Sequence, residues 1–440
     1  MTTQIEQDKA KRVRAAADLA KQRAAALPRR FIAELYEHVP PGDIAAHTPA
    51  DLCGGAVALW RFAGRRIAGA AAVRVYNPDA ATDGWASPHT VVEIVNDDMP
   101  FLVDSATAAI NESGREIRLV IHPVLRVARD AAGALVEIDP PHGGASESWM
   151  QIPISREPDP NERAALASRL ACVLAEVRHA VADWPAMRQQ LQAVVAELAA
   201  LPPPLPAAEI GEGSDFLRWL DDDNFTYLGC RDYAFVASPA TAPPLGILAD
   251  DSVRVFGGLR DLAALPRDVQ NFVRRRELLI IAKTEQRARV HRAAYMDAIG
   301  VRRFDAAGDV VGLRLFLGLF TSTAYSRSPR AIPLLRQKVG RTMERAGLAP
   351  DSHDGKALAH ILETFPRDEL LQIGEDELFD TAIGILNLQE RQRIALFVRR
   401  DPLERFVSCL VYVPRERYDT RLRQAFAAVL ADAFAGTVTD

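Results

Sequence analysis

The chain has 440 residues, 48% hydrophobic and 25% charged, with 53 Lys and Arg against 58 Asp and Glu, a net charge of −5 and a pI near 6.0. That length suits about three domains whose cores need neither disulfides nor metals. The slightly acidic balance argues against the basic face of a nucleic-acid binder and against a polybasic membrane anchor.

Four cysteines, Cys53, Cys172, Cys230 and Cys409, are scattered without CxxC or Cys/His spacing, so no metal site is expected and a reducing compartment is. The N-terminus is charged and alanine-rich without an apolar signal core, and no run of about 20 apolar residues occurs. The expectation is a cytoplasmic protein with no membrane partner.

The first 84 residues read as a helical region, with helices over 5–26 and 30–38, a break at Pro40-Pro41-Gly42, and a third helix capped by Thr48 or Asp51. The next pattern is α+β. A strand over 91–95 runs through Asn96-Asp97-Asp98-Met99-Pro100 into a helix bearing Leu102, Val103, Ala106 and Ile110, which Gly114 ends. A long strand over 117–128, a turn at 130–133, and strands over 135–138 and 149–154 follow. Asp159 as N-cap, Pro160 at the first position and Glu162 in a capping box open a helix carrying Leu166, Leu170, Leu174, Val177 and Val181. A second helix over 187–198 ends in the proline run of 201–206, the strongest domain boundary in the chain.

Beyond it come a short helix at 216–220, strands over 225–236, 278–283, 298–304 and 310–320, and one helix before Arg276. The last two strands form a hairpin about Gly308. Residues 332–392 are helical in three or four pieces, broken near 347–350, Phe365-Pro366 and Gly374. Strands over 394–399 and 406–413 and a helix over 422–434 begin another module that is expected to be cut short.

Two constellations are candidate sites. Asn96, Asp97, Asp98, Met99 and Phe101 lie between strand and helix. Backbone N–H groups there could hold an anion, or the carboxylates of Asp97, Asp98 and Asp104 a metal or ammonium group; the plainer reading is aspartates capping a helix. Ser352-His353-Asp354-Gly355-Lys356 with Arg367-Asp368-Glu369 offers groups for acid–base chemistry, or a helix cap and a polar interdomain contact made by His353, Asp354, Lys356, Arg367 and Asp368. His291 reads as a strand residue in a polar patch, and Arg274-Arg275-Arg276 as a solvated helix end. The chain contains no GxGxxG, GxxxxGK[ST], HExxH or GxSxG, so no catalytic residue is assigned.

Several runs resemble the N-terminal half of the large bacterial NAD-specific glutamate dehydrogenases. They are Asn96 through Ser105, Asp222-Asp223-Asn224-Phe225-Thr226-Tyr227-Leu228-Gly229, Tyr295 through Val301, Phe316 through Ser322, Ser352 through Ala357 with Glu363 through Leu370, and Phe397 through Pro402 with Val411 through Tyr418. The resemblance implies an α+β chain: an ACT-like (ferredoxin-like βαββαβ) module over 85–200, a proline-rich linker over 201–214, a PAS-like antiparallel module over 215–330, a helical motif over 331–392 and the start of a second ACT-like module from 393. It further implies a homo-oligomer whose catalytic domain lies elsewhere in a longer subunit. NAD would be the cofactor of the whole enzyme and of no part of this segment, and other subunits and an amino-acid effector would be its partners.

The corner at Asp98-Met99-Pro100-Phe101 also looks like the Asp-x-Pro-Gly ligand corner of amino-acid-binding ACT domains. Phe101 stands where glycine would admit a ligand, which favours packing or assembly over binding there. Three hypotheses follow: an assembly and regulatory segment, a stand-alone amino-acid sensor, and an independent enzyme using the Ser352 and Arg367 groups.

Overall fold

The computed structural model describes residues 4–24, 27–235, 242–253, 255, 265–388, 391 and 393–439. Two compact units divide the chain: Met1–Ala182 with Ala288–Ala293, and Asp183–Arg287 with Ala294–Asp440.

The first unit opens with helices α1 (Gln4–Arg23), α2 (Arg29–Leu35), α3 (Pro41–Ala45) and α4 (Pro49–Ala63). Residues 25 and 26 of the first expected helix lie outside the described residues. Thr48 caps α4 in a complete capping box, its hydroxyl accepting from Asp51 N while the Asp51 carboxylate accepts from Thr48 N. The helices cover one face of a sheet made of β1 (Ala72–Tyr76), β2 (Thr90–Asp97), β3 (Val124–Arg129), β4 (Leu135–Ile138) and β5 (Ala145–Ile154), ordered β1-β2-β5-β3-β4 and antiparallel throughout. Val95, Leu125, Val127 and Trp149 pack with Phe31, Leu35, Leu52 and Leu59 in one buried cluster. Helix α5 (Leu102–Glu112) connects β2 to β3, and α6 (Pro160–Ala200) follows β5.

This is the ACT-like α+β plan with one departure. β1, which the sequence reading left inside a helical region, takes the place beside β2 that the last strand of a βαββαβ unit would fill. Its Val73 and Val75 alternate with Arg74 between Gly69 and Pro78, a strand signal masked by the alanine-rich surroundings.

Three other expectations need correction. The strand over 117–128 survives only from Val124; Ile117 and Ile121 make isolated bridges, because Pro123 has no N–H to give the ladder. The two helices expected over 159–198 are one 41-residue helix with Pro185 inside. The capping box at its start does not form: Asp159 accepts from Asn161 N at 2.8 Å, but Asp159 N donates to Glu157, and Glu162 pairs with Arg115 at 3.1 Å.

In the second unit, α7 (Ala207–Trp219) leads through an irregular turn into a second antiparallel sheet. Its strands are β6 (Phe225–Ala234), β7 (Leu245–Gly246), β8 (Leu279–Arg287), β9 (Tyr295–Phe304) and β10 (Val310–Phe320), in the order β7-β6-β10-β9-β8, with α8 (Arg267–Val273) before β8. Val236, the expected end of the first strand, lies outside the described residues. The β9–β10 hairpin turns at Gly308 (φ 84°), where Asp305 accepts from Ala307 N and Asp309 N at 2.9 Å. Phe216, Trp219, Phe225, Tyr227, Phe316 and Phe320 form an aromatic core on this sheet, Phe225 and Phe320 meeting edge-to-face at 5.4 Å.

Helices α9 (Ser322–Ser326), α10 (Leu335–Ala346), α11 (His353–Thr364), α12 (Arg367–Gln372) and α13 (Glu375–Leu386) follow, broken where Gly347, Pro366 and Gly374 predict; position 392, the expected end of this helical stretch, lies outside the described residues. Strands β11 (Ala395–Arg400) and β12 (Val407–Tyr412) make a hairpin, and α14 (Thr420–Ala433) comes after it.

Candidate functional site

The Asn96–Phe101 corner is built as a packed joint. Asn96 is buried and its Oδ1 accepts from Arg178 at 2.7 Å; Asp97 bonds both Arg66 and Arg178. Burial alone would raise the Asp97 carboxyl, but the two guanidinium groups outweigh it and hold it below the usual carboxylate range. Asp98 is exposed and continues the sheet through its N–H to Ser146 O at 2.9 Å; Met99 is half-buried.

The helix that follows has no side-chain cap, contrary to the expected aspartate cap. Met99, Pro100 and Phe101 intervene, so the aspartates are used before the helix starts, and Phe101 itself takes the cap position with φ 73°. A non-glycine residue there costs about 1–2 kcal/mol, which packing must offset. The Phe101 ring lies 4.8 Å from that of His291, and the backbone N–H of His291 donates to Ser105 Oγ at 2.9 Å. His291 belongs to the Ala288–Ala293 segment between β8 and β9, with φ 71°, and so is not a strand residue. The corner is filled by the chain's own aromatic and imidazole rings.

Behind it lies a buried charge network that the sequence reading missed. Glu147, 1% exposed, accepts through Oε1 from Arg66 at 2.8 Å and Arg129 at 2.7 Å, and through Oε2 from Arg129 at 2.8 Å and Trp149 Nε1 at 2.9 Å. A second buried carboxylate, Glu93, is held by Arg74, Gln151 and Tyr76; burial dominates there and its carboxyl is pushed up. Glu93 lies in a strand read as apolar, and Glu147 in a stretch read as loop, because β5 starts at Ala145 rather than at Trp149.

The polar groups near Ser352 and Arg367 do not converge. His353 opens α11, a 12-residue helix and so about 18 Å long, and Arg367 opens α12 beyond its far end. Ser352 caps α11 by accepting from Gly355 N at 3.0 Å, His353 is exposed beside Asp354 at 3.3 Å, and Lys356 is exposed. Gly355 is required by crowding: a Cβ there would stand 2.2 Å from Ala349 O. Alanine ordinarily favours a helix interior by about 1 kcal/mol over glycine, yet Gly355→Ala is expected to destabilise by about 1–3 kcal/mol because the obstacle is backbone. Denaturant titration checks the sign; a stabilised variant would refute the crowding.

Arg367 donates to Arg327 O at 2.9 Å. Asp368 joins a different cluster of titratable groups in the second unit. Lys283 Nζ on β8 lies 2.8 Å from Asp297 on β9 and 3.3 Å from Asp368 on α12, and Tyr325 OH donates to Asp368 at 2.8 Å. Asp297 also accepts from Phe320 N at 3.2 Å. Burial pushes the Asp297 carboxyl up to about 6 against the pull of Lys283, and burial likewise moves Tyr325 up to about 12. The next residue of α12, Glu369, pairs with Arg399 on β11, so consecutive side chains of one short helix tie it to two sheets. Asp297 and Lys283 lie in strand runs, and only the isolated charges among apolar neighbours signal them. Among the described residues no group of His, Cys, Asp and Glu could hold a metal ion, and no helix is long and apolar enough to cross a membrane.

These sheets, with helices on their faces and charges spent on holding elements together, define the class: an α+β chain with an ACT-like fold. Three family models match in order, the ACT1 domain of glutamate dehydrogenase over residues 31–170, helical motif 1 of that enzyme over 332–391, and its ACT2 domain over 395–440. Relatives named NAD-specific glutamate dehydrogenase are 38% identical in Halomonas elongata (92% of this chain, 26% of that protein), 37% in Pseudomonas aeruginosa (91% and 25%) and 31% in Mycobacterium tuberculosis (89% and 24%). The chain thus spans about a quarter of the length of the curated relatives it matches. It belongs to the NAD-specific glutamate dehydrogenase family and represents an N-terminal part of it.

Proposed function

We propose that this chain is the regulatory and assembly segment of an NAD-dependent glutamate dehydrogenase, and that it does no bond-making of its own. The parent would convert L-glutamate, NAD and water to 2-oxoglutarate, ammonium and NADH, with NAD bound outside this segment. The observation that supports this most is the ordered match to two ACT domains and the helical motif between them. The internal ion pairs support it too: buried Glu147, Asp297 and Glu369 and half-buried Asp97 are committed to them.

Its partners would be its own catalytic domain and other copies of the subunit, in the cytoplasm. One face of the first sheet is already covered by α1, α2 and α4, so pairing between copies would use strand edges or helices. The 440-residue chain is expected to show no glutamate-dependent reduction of NAD and to self-associate in light scattering. Turnover by the chain alone, or a strictly monomeric mass at high concentration, would count against the reading.

A further inference from the structure

His122 stands where the chain leaves its bridge at Ile121 and enters β3. Ile121 exchanges hydrogen bonds with Gln151 at 2.9 and 3.0 Å, and Pro123 O accepts from Trp149 N at 3.1 Å, so β5 holds the backbone on both sides of it. Its ring is half-buried, and Nε2 lies 2.5 Å from Ser148 Oγ on β5, a residue with no exposure. The register sets Asn96 opposite Ser148, so both side chains share one face of the sheet. Donors are in excess there. Asn96 Oδ1 already accepts from Arg178, and among the described residues Asn96 Nδ2 has no hydrogen-bond partner. A neutral imidazole suits this place, because Nε2 can accept from the Ser148 hydroxyl. An imidazolium adds a fresh N–H where acceptors are already short, and a buried donor left unmet is costly.

We propose that His122 is a proton-operated switch on the Asn96–Phe101 corner, closed while the imidazole is neutral and opened by its protonation. Half-burial leaves the proton a route from solvent. Burial also holds the ring below the usual imidazole range, against the pull of Asp98. The other charges nearby are spent or turned away. Asp97 is paired with Arg66 and Arg178, and Glu147, next to Ser148 along β5, points to the opposite face. A histidine whose folded value is depressed contributes its full stability above the unfolded value of about 6.5 and loses it as pH falls below that. Opening hydrates the ring, so acid favours the open form. The corner begins at Asn96, directly across from Ser148, and so feels the loss first.

The test is hydrogen exchange of the corner amides in the full 440-residue chain, corrected for intrinsic rate, beside the His122 titration read by NMR. Protection of the Asp98 N–H, which donates to Ser146 O, is expected to be lost progressively below about pH 6.5. His122→Gln, which takes up no proton, should hold that protection flat over the same range. Asp98→Asn, at an exposed side chain, should move the His122 titration to lower pH, and it still decides should His122→Gln fail to fold. His89, held down by burial with Arg118 and His47, works in the same direction, so the whole-chain melt does not isolate the switch and the corner amides do. Equal acid loss in the wild type and His122→Gln, corner protection that rises in acid, or a His122 titration indifferent to Asp98→Asn would overturn the proposal.

Discussion

Glu147→Ala is expected to destabilise the first unit by about 3–5 kcal/mol, the cost of removing one partner from a buried ion pair. The substitution leaves Arg66 and Arg129 facing each other without their shared anion, and Trp149 Nε1 without an acceptor. By contrast, Arg30→Ala removes a solvent-screened pair with Asp139 that is 56% and 37% exposed, and should change stability far less. Glu147→Gln keeps an acceptor and loses the charge, so it should fall between them. Burial works to raise the Glu147 carboxyl, but hydrogen bonds from Arg129, Trp149 and Arg66 overcome it and leave it below the usual range. A depressed carboxyl contributes stability above its unfolded value of about 4.3, lost as pH falls through the folded value. The wild type should therefore lose stability in acid more steeply than Glu147→Gln. Hydrogen exchange of β2 and β5 across pH reads this directly, and equal acid limbs would show that the network carries no charge-dependent energy.

The architecture was legible where side chains report local geometry. Thr48, Pro49 and Asp51 announce the start of α4, and Val310 to Phe320 alternates into a strand whose limits the structure reproduces. The four helices after Leu334 break at a glycine, a proline and a glycine, each with a backbone reason. β1 was hidden because five half-buried residues among alanines carry little periodicity. The continuity of α6 through Pro185 was hidden because one lost hydrogen bond can be outweighed by packing that sequence does not display; Met187 and Leu191 beyond it are fully buried. The site was harder still. Asp97 and Asp368 were singled out, but their partners Arg66, Arg178, Lys283 and Tyr325 come from 31 to 85 residues away, and only folding brings such charges together. Phe101 was readable as a departure that fills its corner, yet nothing in the chain pointed to His291 as the ring against it.

Asp297 should act on stability with the sign opposite to that of Glu147. Its carboxyl is raised to about 6 by burial, against an unfolded value of about 3.9. The folded state therefore takes up a proton that the unfolded chain refuses in that window, and the second unit should gain stability as pH falls from 7 toward 4. A carboxyl moved that far changes stability by on the order of 2–3 kcal/mol across the window. The neighbouring groups do not blur it. Lys283, raised by Asp297 and Asp368 against the effect of burial, titrates above pH 10, and so does Tyr325. Glu212 and Asp221, where burial is outweighed by Arg336 and Arg188, lose their contribution only as pH falls below their unfolded values near 4. Asp297→Asn should flatten the profile between pH 4 and 6 while leaving Lys283 paired with Asp368. Denaturant midpoints followed through hydrogen exchange in β9 measure it, and a variant that keeps the wild-type slope would mean the carboxylate is ionised throughout, with Lys283 winning over desolvation.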